Sequence, residues 1–144
     1  MSRVITKDGV GTDPALPDGH VLDAKALWQG WELPEDTPLI LTLDITVDPA
    51  ALSPWFDRLA LIVLPFGSSA DGRGFSLAER LRALGYRGRI RAKGHILADQ
   101  FRAALRVGID EVEISDAQAE RMPEAHWMAA RKAPDYRRQI FRAA

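Results

Sequence analysis

The stretch LALIVLPFGSSADGRGFSLAERLRALGYRGRIRAKG, residues 59–94, carries the pattern that decides the fold. Its first eight residues, Leu59–Phe66, form a continuous apolar run that is typical of a buried strand. A helical pattern follows, in which leucines recur at helical spacing until Gly85 ends the helix. The last six residues, Arg89–Gly94, predict a second strand. A strand, a helix and a strand in this order form the βαβ unit of a parallel sheet.

The same alternation continues on both sides of this unit. LILTLDIT, residues 39–46, predicts an earlier strand, and EVEI, residues 111–114, predicts a later one. Asp48 followed by Pro49 indicates a helix start, and a further helical pattern ends at Gly108. We therefore predict an α/β fold with a mainly parallel sheet of four or five strands flanked by helices. The connections should be right-handed, and the arrangement an open, three-layer sandwich.

The whole chain of 144 residues is short enough to predict a single domain, residues 1–144. Residues 1–36 are rich in Gly, Pro and Asp, which predicts an irregular segment with a short edge strand at Arg3–Lys7 and a short helix at Val21–Trp31. The other end, residues 117–144, is predicted to be a helical C-terminal segment.

Composition excludes several classes of site. The chain contains no cysteine, so thiolate-held iron–sulfur clusters, dithiol chemistry and cysteine zinc sites are excluded. The three histidines, His20, His95 and His126, show no spacing typical of metal ligands. We therefore predict neither a metal site nor a bound cofactor.

Charge is distributed unevenly along a chain whose net charge is only -1. Residues 1–72 contain 4 Lys/Arg and 11 Asp/Glu, whereas residues 73–144 contain 15 and 9. This asymmetry indicates either that the second half meets an anionic partner or that the halves neutralise each other in the fold. The acidic half and the small net charge argue against nucleic acid as a partner.

No apolar run is long enough for a membrane span or a signal peptide, so we expect a cytoplasmic protein with no membrane partner.

The DGRG loop, residues 71–74, is the first candidate site. It follows a strand and leads into a helix, and glycines there would let backbone N–H groups converge on an anion. Arg73 would add a charge-assisted contact, and Ser76 with Glu79 forms the pattern of a capping box that fixes the helix start. The glycine spacing does not match a dinucleotide fingerprint. In the alternative interpretation the loop only turns the chain.

A second candidate site is RAKGHILADQ, residues 91–100. Its polar side chains follow a strand, at the edge of a parallel sheet where ligands gather. His95 is of the type that serves as an acid or base near neutral pH, although a single loop histidine more often makes a polar contact. From both stretches we predict one set of ligand-binding residues: Asp71, Gly72, Arg73, Gly74, Ser76, Arg91, Gly94, His95, Asp99 and Gln100. The pattern assigns no catalytic residue.

The motif DGRGFSLAERLRALGYRGRIRAKGHILADQ, continuing into GIDEVEI, resembles the bacterial family catalogued as domain of unknown function 934. The C-terminal HWMAARKAPDYRRQIF is also similar to members of that family. Carried over by position, the motif falls on Asp71, Gly72, Arg73, Gly74, Ser76, Arg82, Gly85, Arg91, Gly94, Asp99 and Gln100.

The resemblance implies a role in assimilatory sulfate and sulfite reduction, because the family's genes tend to lie beside the gene for the sulfite reductase hemoprotein. We therefore expect an accessory protein that binds a small anion or that hemoprotein. One alternative is an enzyme acting on a sulfur oxyanion or a related metabolite, as the family's description as putative oxidoreductases implies. A second alternative is a purely structural subunit. The residues leave open whether the chain is an enzyme, because nothing in the sequence is recognisable as an electron carrier.

Overall fold

The computed structural model describes residues 2–11, 20–29, 37–44, 46–67 and 72–131. Seven strands in this part of the chain form one sheet. Their bounds are β1 Ser2–Thr6, β2 Gly9–Gly11, β3 His20–Asp23, β4 Leu39–Thr42, β5 Leu59–Phe66, β6 Arg89–Gly94 and β7 Glu111–Ser115.

Helices connect or follow these strands. The α-helices are α1 Ala24–Trp28, α2 Arg73–Ala83, α3 Phe101–Arg106, α4 Asp116–Arg121 and α5 Glu124–Ala130, and two 3-10 helices span Pro49–Trp55 and Ala98–Gln100. As predicted, the Asp48 side chain caps the first 3-10 helix by accepting from the Ala50 N–H at 3.0 Å. Two prolines lie in this segment, at its first position and at Pro54, and proline disrupts the hydrogen bonds of an α-helix.

The sheet has the strand order β2-β1-β7-β6-β5-β4-β3. Strands β3 to β7 are parallel, and each of β4 to β7 pairs with the strand that precedes it in the chain. Strand β1 runs antiparallel to both β2 and β7. The sheet is therefore mixed and mainly parallel, as predicted, but it has more strands than four or five.

The described helices pack on one face of this sheet. Their buried side chains, such as Leu27, Leu52 and Leu81, belong to one hydrophobic core with alternate strand residues, such as Ile62. A second, smaller cluster on the other face consists of strand residues alone, namely Ile40, Leu61 and Val63. Strands added in one direction by right-handed crossovers place their helices on one face. The predicted three-layer sandwich is therefore not what the described residues form.

The N-terminal segment is more regular than predicted. Strand β1 lies inside the sheet, between β2 and β7, and is not an edge strand. The stretch predicted as a helix, Val21–Trp31, begins as part of the edge strand β3 and becomes helical only at Ala24. At the other end, α4 begins one residue before the predicted helical segment, α5 lies within it, and residues 132–144 fall outside the described part.

Candidate functional site

The five parallel strands end at one edge of the sheet, where ligands of α/β proteins usually bind. Their last residues are Asp23, Thr42, Phe66, Gly94 and Ser115. In the described part of the chain, the loops and helix starts that follow these residues line open clefts.

Phe66, at the end of the central strand β5, is the packing centre of this edge. Its ring meets the ring of Phe75 edge-on, with the centroids 5.3 Å apart, and it lies against Gly74. A Cβ atom at Gly74 would clash with that ring, so the α2 backbone approaches β5 closely because position 74 has no side chain. Gly94 has φ +127° and approaches the Phe66 carbonyl, which also accepts from the His95 N–H at 3.1 Å.

The start of α2 differs from the sequence expectation. The helix begins at Arg73 with Gly72 as its N-cap, and no side chain caps it. Ser76 lies inside the helix, where its N–H donates to the Gly72 carbonyl at 3.3 Å. The predicted capping box of Ser76 and Glu79 is therefore wrong, because the helix starts four residues earlier than the box requires. Its end is as predicted, with Gly85 at φ +103°.

Two clefts flank this helix start, and Arg73 lines both. The first, of about 520 Å³, lies at the ends of β3, β4 and β5, and the carboxylates of Asp23 and Asp44 line it with Arg73. The second, of about 440 Å³, is lined by Arg73, Ser76 and the ion pair between Arg80 and Asp48, whose atoms lie 3.0 Å apart. We call the first of these the Arg73 cleft. The lining of the Arg73 cleft thus contains both positive charge, from Arg73, and negative charge, from Asp23 and Asp44.

A third cleft, of about 390 Å³, lies at the ends of β6 and β7, and we call it the His95 cleft. It is lined by His95, Leu97, Ser115, Gln118, Arg121 and Met122. The Ser115 hydroxyl oxygen accepts from the Gln118 N–H at 3.2 Å, and the Gln118 amide donates to the Ile96 carbonyl at 2.6 Å. These bonds join β7 and α4 to the loop after β6. Among the described residues, no carboxylate is part of this cleft's lining.

Arg91 lies away from these clefts. It alternates with the core residues Ile90 and Ala92, so its side chain is on the face opposite the described helices. There it pairs with Glu113 at 3.0 Å and with Glu111 at 3.5 Å, and only 5% of Arg91 and 1% of Glu111 are exposed. The structure thus places Arg91 in a buried row of charges between β6 and β7 rather than beside Arg73.

The remaining predicted residues are placed as follows. Gln100 caps the short 3-10 helix, because its side-chain oxygen accepts from the Leu97 N–H at 3.0 Å. Asp99 is exposed next to it, and Gly72 is exposed at the helix start. Asp71 lies outside the described residues. The structure thus brings Arg73 and Ser76 together at one cleft and places His95 at another.

Arg82 is the motif residue whose role the sequence did not reveal. Its guanidinium donates to the carbonyls of Gly108, Tyr86 and Gly88 and to the Asp110 carboxylate, at 2.7–3.1 Å. It thereby joins the end of α2 to the turns that precede β6 and β7. No local sequence pattern predicts such contacts, because the backbone carbonyls that accept from Arg82 lie up to 26 residues away in the chain.

Tyr86, also at the end of α2, is 1% exposed, and its hydroxyl donates to the carbonyls of Leu59 and Arg89. Burial raises the pKa of its phenol well above the usual value, because the anion would lose its hydration. The nearby Arg82 guanidinium acts in the opposite direction and is the weaker influence.

Two further classes of site, for metal ions and for membranes, concern the same described part of the chain. No group of three or more His, Asp or Glu side chains there is arranged to hold a metal ion. Among the described helices, none is long and apolar enough to cross a membrane.

Comparison with known proteins gives one match. The model of a family described as "Bacterial protein of unknown function (DUF934)" matches residues 41–140. No curated protein and no solved structure matches the chain.

Proposed function

The chain belongs to the DUF934 family of bacterial proteins, and from this premise we propose that it is an accessory protein of assimilatory sulfate and sulfite reduction. In this role it binds the sulfite reductase hemoprotein at the edge of the sheet where the parallel strands end. The place in sulfur metabolism rests on what the resemblance of the DGRG motif implies. The choice of surface rests on the geometry of the Arg73 cleft.

One observation carries the choice of a protein partner at this cleft. Arg73, Asp23 and Asp44 line the same open surface. A free sulfite or sulfate ion would be repelled by the two carboxylates, and each unfavourable contact would offset part of the attraction of Arg73. A protein surface can present charges of both signs to this lining, and such complementary charges determine which partner binds and how fast.

The enzyme alternative requires Asp71, Arg73, His95 and Asp99 to meet around one substrate, and of these Asp71 lies outside the described residues. In the described residues Arg73 and His95 line different clefts, and Asp99 lines neither of them. A reacting atom must lie within hydrogen-bond distance of each group that acts on it. This separation favours a binding role over a catalytic one.

The test is a binding titration of the purified protein against purified sulfite reductase hemoprotein. We expect saturable binding that Arg73→Glu weakens about tenfold or more. The reason is that the partner charge that complements Arg73 is negative and would repel a glutamate. Arg87→Glu is the matched control, since Arg87 is an exposed arginine in the turn before β6, at the opposite end of the strand.

A growth experiment tests the pathway separately. Deleting the gene should slow growth on sulfate or sulfite while growth on cysteine remains normal. Restoring the wild-type gene should restore growth on sulfate, and the Arg73→Glu gene should restore it less. Normal growth of the deletion strain on sulfate, in a cell with no second copy, would contradict the proposal.

A further inference from the structure

The His95 cleft differs in chemistry from the Arg73 cleft. We propose that the His95 cleft is a binding site for a small organic anion. The ligand class is a carboxylate or sulfonate headgroup on a short apolar body. This inference goes beyond the proposed function and does not depend on it, because no residue of the Arg73 cleft contributes to the site.

Charge is the first reason. Two cationic or donor side chains, His95 and Arg121, line the cleft, and none of the described residues that line it carries a carboxylate. Neither side chain has an ion pair or a side-chain hydrogen bond within the described ranges, in contrast to Arg82, Arg89 and Arg91. The guanidinium fork matches the oxygens of a carboxylate or sulfonate in two parallel hydrogen bonds.

The acidic residue that follows the lining residue Ser115 does not offset this charge. Asp116 directly follows Ser115, but its carboxylate faces Arg3 on β1, with the atoms 3.4 Å apart. An anion in the cleft therefore meets His95 and Arg121 with no lining carboxylate to repel it.

A fixed donor supports the same assignment. The Ser115 hydroxyl oxygen accepts from the Gln118 N–H at 3.2 Å, which leaves the hydroxyl hydrogen to donate. Gln118 is only 8% exposed and is held by its own bond to the Ile96 carbonyl, so this wall of the cleft is fixed before a ligand arrives. On the other side, the His95 backbone is fixed by its bond to Phe66. A preformed site loses less entropy when it binds.

Apolar side chains define the rest of the ligand. Leu97 and Met122 line the cleft beside the charged groups, and Leu97 is 43% exposed although it is large and apolar. A short hydrocarbon chain on the ligand would cover this surface, which favours binding in proportion to the area removed from water. The volume of about 390 Å³ lies within the range of small-molecule sites, roughly 300–1,000 Å³.

The test uses two probes with the same body and different headgroups, hexanoate and hexane-1-sulfonate, in titrations followed by calorimetry. Hexylammonium and hexan-1-ol, which have the same hydrocarbon chain, are the matched ligand controls. We expect both anions to bind saturably, and both controls to bind at least tenfold more weakly, because only an anion satisfies Arg121 and His95.

Variants then locate the site. Arg121→Ala and His95→Ala should each weaken binding of both anions, by about ten- to a hundredfold for the arginine. Both side chains are exposed, so we expect these variants to fold. Arg87→Ala and Arg73→Ala should leave binding unchanged. The proposal is overturned if neither anion binds, if the controls bind equally well, or if Arg73→Ala abolishes binding while Arg121→Ala does not.

Discussion

At the scale of single residues, Phe66 requires glycine at two positions that are far apart in the chain, Gly74 and Gly94. We expect Gly74→Ala to lower the free energy of unfolding by about 1–3 kcal/mol, because the new methyl group would overlap the Phe66 ring and force helix and strand apart. Urea unfolding measures the loss. Gly72→Ala is the control from the same loop, because a Cβ there meets nothing within 4 Å. It should change stability by less than about 1 kcal/mol. Equal losses in the two variants would contradict the packing role of Gly74.

Arg82 is the second residue whose surroundings predict a large effect. Arg82→Lys should destabilise the fold by about 3 kcal/mol, because a lysine cannot reproduce the fork that reaches three backbone carbonyls and Asp110. Chemical denaturation measures it. Arg80→Lys, two positions away, alters an exposed pair with Asp48 and should change stability by less than about 1 kcal/mol. A loss under 1 kcal/mol for Arg82→Lys would show that these bonds contribute little.

At the scale of elements, α2 begins where its first turn packs rather than where its sequence resembles a cap. We expect Ser76→Ala to change the free energy of unfolding by less than about 0.5 kcal/mol, because Ser76 is an exposed residue inside the helix. A true cap would lose about 1 kcal/mol on the same substitution. Thermal and urea unfolding of the variant distinguish these outcomes.

Tyr86 joins the end of α2 to the starts of β5 and β6, through the carbonyls of Leu59 and Arg89. Its pKa is raised in the folded chain, so above about pH 10 the folded state keeps a proton that the unfolded state has lost. This contribution makes stability fall as pH rises, by up to about 1.4 kcal/mol per pH unit. Tyr86→Phe removes that pH dependence. At pH 8 the Tyr86→Phe variant should be less stable than the wild type by about 1 kcal/mol, because it lacks the hydrogen bonds of the hydroxyl. At pH 11 its free energy of unfolding should approach or exceed that of the wild type. A difference that stays constant from pH 8 to pH 11 in urea unfolding would contradict this.

The sequence predicted those elements whose signal is local. Strands β5 and β6 were predicted with their observed bounds, because a continuous apolar run and a strand ended by Gly94 depend on near neighbours alone. The start of α2 was predicted wrongly, because the clash-free approach of Gly74 to Phe66 outweighs the capping preference of Ser76. Strand β3 was read as helix, since Val21–Trp31 has helical spacing and only its pairing with β4 makes its first residues extended.

The candidate site was less predictable than the fold for the same reason. Arg73 and His95 were named from loops that follow strands, and both line clefts at the expected edge. Arg91 was placed beside them because it is basic and near in sequence. Whether an alternate strand residue faces the helices or the opposite face depends on the whole sheet, and Arg91 falls on the opposite face. Arg121 was not among the predicted residues. It lies on α4, and the position of α4 beside the loop after β6 follows only from the fold.

At the scale of the whole molecule, the first strand in the chain is part of the core. Ile5 on β1 is fully buried in the main hydrophobic cluster. We expect Ile5→Ala to lower the free energy of unfolding by about 2–5 kcal/mol, because it leaves a cavity under the sheet. The control is Val21→Ala on the edge strand β3, where the side chain is 64% exposed, and it should change stability by less than about 1 kcal/mol. If the two substitutions cost the same in urea unfolding, β1 is not integral to the core.

The place of β1 between β2 and β7 also affects how the chain is made. When each parallel strand from β4 to β7 is synthesised, the strand it pairs with has already been made. Strand β1 is made long before its partner β7, so Val4 can pair with Glu113 only after a wait. At a synthesis rate of about 5–20 residues per second, this wait lasts about 5–20 s. During that time the newborn chain carries a strand with an unpaired edge, which is the kind of surface that pairs with other chains. Strand β1 is therefore enclosed on its second side only when β7 has been made, and protection of the nascent chain matters most before β7 emerges.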